Sequence, residues 1–282
     1  MPSPVQTAAA AWDVVPRVEA AAVHDTRLQL HHAAQLANAP AMSYLPAAAD
    51  DGHTNFGWDD AAGAFVARRV PFPNPRTFGF RVRDLTLLAR GDDGALVSEF
   101  ALAGRTLTEA HAWARGQCEA AGGDGAAYAS KKHYEIPRHA LDDGGRFGAD
   151  ASALNSLAVH WGNAVRMLDA VAGENPGASP VRLWPHHFDV GLIVGIDDTR
   201  SIGVGFTPGD EWYDEPYWYT SPYPAPAPDA ARPPLAGGGH WHDRGWFSAV
   251  LNWSAYAGVP DQGATVAAYL RSALAAARGL LR

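Results

Sequence analysis

Two short segments bring histidine close to carboxylate. The first is Trp184-Pro185-His186-His187-Phe188-Asp189. Side chains alternate between the two faces of a strand, so an extended reading puts His187 and Asp189 on one face and His186 and Phe188 on the other. An imidazole beside a carboxylate suits a general base held by its orienting acid, which makes His187 and Asp189 the candidate catalytic pair. The second segment is His240-Trp241-His242-Asp243, after Gly237-Gly238-Gly239. If extended, it aims both imidazoles the same way, as two ligands from one strand would have to point at a metal ion. An alternative reading therefore takes His187, Asp189, His240 and His242 as the ligand set of a metal-dependent hydrolase or oxygenase. The His-x-His pattern also occurs in the cupin metal motif, but the acidic residue expected a few positions later is missing here.

A third segment, Gly205 to Pro216, carries Asp210, Glu211, Asp214 and Glu215 around a Pro208-Gly209-Asp210 turn. Carboxylates at that density suit a cation, or a substrate amine or hydroxyl, although EF-hand spacing is absent. Six tryptophans fall between Trp184 and Trp253, interleaved with Tyr213, Tyr217, Tyr219 and Tyr223. Aromatic rings stack on ligands and also fill ordinary cores. Trp184, Trp212, Tyr217, Trp218 and Tyr219 form the candidate ligand-binding set, oriented by His187 and Asp189.

The elements that must carry these residues follow from periodicity. A helix is expected after Asp13 and Pro16, running through Thr26–Leu36 to Asn38 and stopped by Pro40. Its apolar face is ragged. Strand-like runs follow at 64–70, 76–83, 85–90 and 95–102, with Gly91-Asp92-Asp93-Gly94 as a hairpin turn. The capping box Thr106-Leu107-Thr108-Glu109 opens a second helix. Residues 122–149, rich in Gly, Asp and Ala, read as a connection. Leu154, Leu157, Trp161, Val165, Leu168 and Val171 then share one helical stripe. Runs at 181–183, 188–196, 201–206, 216–219 and 246–253 read as strands, and a last helix spans 262–278. The expected fold class is α+β: two similar helix/antiparallel-meander/helix halves, 1–121 and 150–282, packed together as one compact domain.

With 282 residues, 47% hydrophobic and 18% charged, the chain has material for a substantial core. A formal charge of −8 argues against a nucleic-acid partner, which needs clustered Lys and Arg; Lys131-Lys132 is the nearest approach. The single cysteine, Cys118, rules out an internal disulfide. No apolar run reaches the length of about 20 residues that a membrane helix requires, and the first residues lack a basic leader pattern. The expected setting is cytoplasmic. No P-loop, dinucleotide fingerprint or nucleophile elbow is present, so no motif specifies a cofactor, and the oligomeric state is not encoded in any pattern.

The second half resembles a bacterial family known as a domain of unknown function. The resemblance rests on Trp184-x-x-x-Phe188-Asp189, on Gly205-Phe206-x-Pro208-Gly209, and on Tyr217-x-Tyr219. It covers residues 25 to 280 in element order and 180 to 225 in motif. It implies an α+β fold and lends no reaction. His186 and His187 depart from the family's pattern while Phe188 and Asp189 fit it, which raises Asp189 above either histidine. The reading that follows is a protein binding a small organic ligand, as an enzyme or otherwise, in an aromatic pocket with His and Asp. A metal-dependent enzyme and a non-catalytic interaction protein are the alternatives.

Overall fold

The structure is a computed structural model that describes residues 2–129 and 134–282; Lys131-Lys132 lies outside the described residues. In chain order the elements are α1 (Pro4–Ala10), α2 (Ala20–Tyr44), β1 (Gly57–Asp59), β2 (Ala64–Val66), β3 (Thr77–Arg81), β4 (Thr86–Arg90), β5 (Leu96–Ala101) and α3 (Leu107–Ala120). Then come α4 (Ala151–Glu174), β6 (Arg182–Trp184), β7 (Asp189–Gly195), β8 (Ser201–Thr207), β9 (Tyr217–Tyr223), β10 (His240–His242), β11 (Ser248–Asn252), α5 (Trp253–Tyr256) and α6 (Gln262–Leu280). Among the described residues there are six α-helices and two antiparallel sheets, of five and six strands, so the class is α+β. No described helix is long and apolar enough to cross a membrane.

The chain divides into two compact units, each discontinuous in sequence. One comprises Val18–Ala158 with Arg182–Phe188; the other comprises the segment ending at Arg17, Val159–Val181 and Asp189–Arg282.

In the first unit the sheet order is β1-β2-β3-β4-β5. Its register sets Phe65 opposite Phe80 and Phe80 opposite Leu87, so one face is a run of buried rings and aliphatics. Gly94, at a φ of 79°, closes the expected turn, and the Gly91 amide donates to the Ala95 carbonyl. α2 packs on β3, β4 and α3, and every residue from Gln29 to Ala41 is buried. A helix enclosed on every side has no single apolar stripe, which accounts for the ragged pattern. Pro40 lies inside α2, not beyond its end. Proline costs the helix a bond to the carbonyl four residues back, and here enclosure outweighs that loss for one further turn. The Thr106 capping box forms as expected, with Thr106 Oγ1 accepting from the Glu109 amide and the Glu109 carboxylate from the Thr106 amide.

In the second unit the strands run in the order β10-β11-β9-β8-β7. Alternation divides the sheet into two chemically different faces. One carries Val190, Leu192, Val194, Ile202, Val204, Phe206, Trp218, Ala249 and Leu251, all buried. α6 packs against β8, β9 and β11, and α1 packs against α6. The other face carries polar and aromatic side chains and holds the candidate site.

Candidate functional site

The register explains why residues distant in sequence share that face. Gly191 pairs with Gly205, Gly205 with Tyr219, Tyr219 with Val250 and Val250 with His240. Those pairs make one cross-strand row, and residues two places along each strand point the same way. Asp189, Tyr217, Tyr219, His240 and His242 therefore project from one face of one sheet.

Tyr219 lies flat across that face. Its hydroxyl passes over Gly205 and Gly191 and donates to Asp189 Oδ2. A Cβ on Gly205 would stand 2.3 Å from Tyr219 Oη and 2.4 Å from Cζ, and one on Gly191 would stand 2.8 Å from Oη. Both glycines are the floor on which the ring rests. Burial, and then the Asp189 charge, raise the Tyr219 phenol well above its usual range, so it remains a donor. Gly205→Ala is accordingly expected to cost about 1–3 kcal/mol by overpacking, measured by urea unfolding. The penalty should vanish in a Tyr219→Ala background; a penalty that persists there would show that the ring contact is not its cause.

The loop between β8 and β9 adds the next layer. Asp210 Oδ1 accepts from the amides of Trp212 (2.8 Å) and Tyr213 (3.2 Å), an Asx-type turn. Its Oδ2 accepts the Tyr217 hydroxyl. Burial and the Asp210 charge drive the Tyr217 phenol upward as well. The turn delivers the Tyr213 hydroxyl between the two β10 histidines, 3.0 Å from His240 Nε2 and 2.8 Å from His242 Nδ1. His242 Nε2 stands 2.7 Å from the Arg244 carbonyl. A carbonyl only accepts, so Nε2 carries the proton and Nδ1 accepts from Tyr213. His242 is 4% exposed, whereas His240 is exposed. Burial, followed by the nearby His242, lowers the His240 pKa.

Aromatic rings complete the cluster. Trp246 packs on His242 with ring centroids 4.8 Å apart, and on Tyr217 and Tyr219 at 6.4 Å. Trp212, 43% exposed, meets His242 edge-on at 5.3 Å. Tyr213 and Trp246 were not singled out as site residues from sequence. Asp210 was, as one of four carboxylates around the Pro-Gly-Asp turn suited to a cation or a substrate amine or hydroxyl, but not as the anchor of Tyr213 and Tyr217.

The other expected residues are placed differently. The continuous strand through Trp184–Asp189 does not form: β6 ends at Trp184, residues 185–188 make a turn, and β7 begins at Asp189. The Phe188 amide donates to the Trp184 carbonyl at 2.7 Å, and Phe188 takes a φ of 59°, unusual without glycine. The alternation that paired His187 with Asp189 on one strand face is therefore corrected by the turn. Trp184 and exposed His187 belong to the first unit, where His186 packs on both, at 6.0 and 4.3 Å between centroids. Trp218 faces the opposite way from Tyr217 and Tyr219, into the core. His240 and His242 do come together, through Tyr213; among the described residues no three His, Cys, Asp or Glu side chains are placed to hold a metal ion.

Comparison of the chain with protein-family models, with curated proteins and with solved structures finds no significant match to any of them.

Proposed function

We propose that the protein binds a small organic ligand on the polar face of the second unit's sheet. One observation supports this most directly: Asp189, Tyr217, Tyr219, His240 and His242 project together from that face, beside the exposed ring of Trp212. On this reading Trp212 supplies a stacking plane. Exposed His240 supplies a hydrogen-bonding end, while Asp189 and Asp210 hold Tyr219, Tyr217 and Tyr213 in place, a division of labour common to sites for small molecules.

The test is a tryptophan-fluorescence titration with a panel of monocyclic aromatic, sugar and alkylammonium compounds. At least one should bind, and Trp212→Ala with His240→Ala should weaken it tenfold or more while Trp184→Ala leaves it unchanged. Failure of the whole panel, or equal binding by the Trp212 and His240 variants, would overturn the reading.

A further inference from the structure

The two β10 histidines and Tyr213 form a chain whose hydrogen-bond order is fixed at one end. The Arg244 carbonyl accepts from His242 Nε2, so His242 Nδ1 is an acceptor, and the Tyr213 hydroxyl 2.8 Å away donates to it. With its own proton committed, Tyr213 Oη accepts from His240 Nε2. His240 is then left with an unprotonated Nδ1 on an exposed ring.

From this order we infer that His240, Tyr213 and His242 form a proton relay leading from the exposed edge of the sheet to a buried imidazole. A proton arriving at His240 Nδ1 allows Nε2 to release its own to Tyr213 Oη, and Tyr213 passes its original proton to His242 Nδ1. His240 ends neutral in the opposite tautomer, Tyr213 is again a phenol, and His242 is an imidazolium. No bond other than N–H and O–H is made or broken, and one proton has moved inward.

Hydrogen-bond acceptors and an aromatic ring offset the cost of burying that charge. Both N–H groups of the His242 cation have acceptors, Tyr213 Oη and the Arg244 carbonyl, and the Trp246 ring lies 4.8 Å away at 36°. An aromatic face stabilises a cation. Among the described residues the charged and titratable groups near the chain include Asp210 and Tyr217, behind Tyr213, Arg244, whose positive charge acts on the partly buried Tyr213 phenol, and Asp243, which follows His242 and pairs with Arg232 at 3.9 Å. Solvent supplies the proton in the free protein. If the ligand reading above holds, a ligand hydroxyl or ammonium group at His240 Nδ1 supplies it instead, and that clause alone rests on the reading.

Long-range nitrogen–proton NMR on the whole protein tests the relay without a ligand. At neutral pH, His242 should show a protonated Nε2 and an unprotonated Nδ1, and His240 a protonated Nε2. Proton exchange at His242 should run through the Tyr213 hydroxyl, so the exchange contribution to the relaxation of His242 Nδ1 should fall tenfold or more in Tyr213→Phe. A His242 protonated at Nδ1 at neutral pH, or exchange at His242 unchanged in Tyr213→Phe, would overturn the inference. Tautomers are read in the parent protein, so the test survives a poorly folding variant. A relay confirmed by NMR alongside an unresponsive fluorescence panel would sink the ligand reading alone.

Discussion

Trp218→Ala is expected to destabilise the protein by about 3–5 kcal/mol, the range for truncating a buried aromatic. Trp218 is fully buried, its ring 5.3 Å from Phe206 and 6.3 Å from Trp12, and its Nε1 donates to the Tyr256 hydroxyl at 3.2 Å. Truncation would open a cavity and leave the fully buried Tyr256 hydroxyl short of a donor. Trp212→Ala, by contrast, should stay within about 0.5 kcal/mol, because an exposed ring gives up little on truncation. Urea unfolding of the two variants separates core from surface among tryptophans that the sequence does not distinguish. Equal losses would contradict the assignment of Trp218 to the core.

The second large effect is a loss of stability in mild acid that traces to His160. Its ring is 2% exposed, stacked 5.3 Å from Phe206 and edge-on to Trp253 at 4.8 Å. Burial pushes its pKa from 6.5 down to about 3. A histidine depressed in this way favours the folded state fully only above its unfolded pKa. As the pH falls below 6.5, the unfolded chain gains a proton that the folded chain refuses. Stability is then lost at about 1.4 kcal/mol per pH unit until the folded pKa is reached. Between pH 6.5 and pH 4 the loss should amount to about 3 kcal/mol. His160→Phe keeps a ring in place and removes the titration. The difference between the two urea-stability profiles over that range should therefore slope, and a flat difference would remove His160 as the cause.

Local rules were enough for much of the architecture. The Gly91–Gly94 turn, the Thr106 capping box and the apolar stripe of α4 each depend on residues within a few positions, and each forms. Alternation along β9 likewise placed Tyr217 and Tyr219 together, and the extended His240–His242 segment forms β10. What escaped the sequence depends on distant partners. Nothing near Trp218 says that its face of β9, and not that of Tyr219, meets α6. Tyr213 lies 27 and 29 residues from the histidines it joins, and only the β9–β11–β10 pairing closes that distance. The turn after Trp184 was hidden because Phe188 adopts a backbone conformation that its own type disfavours. α2 runs past Pro40 because its surroundings, not its composition, hold it.

Asp210 fastens two layers at once. One oxygen clasps the loop backbone at Trp212 and Tyr213, and the other clasps the sheet at Tyr217. It works as a rivet. The loop cannot lift from the sheet without freeing Tyr213, so the hydrogen-bonded link between the two histidines breaks in the same event. Loop and link are thus made or undone together, and amide exchange at Trp212 and Tyr213 reports their shared lifetime.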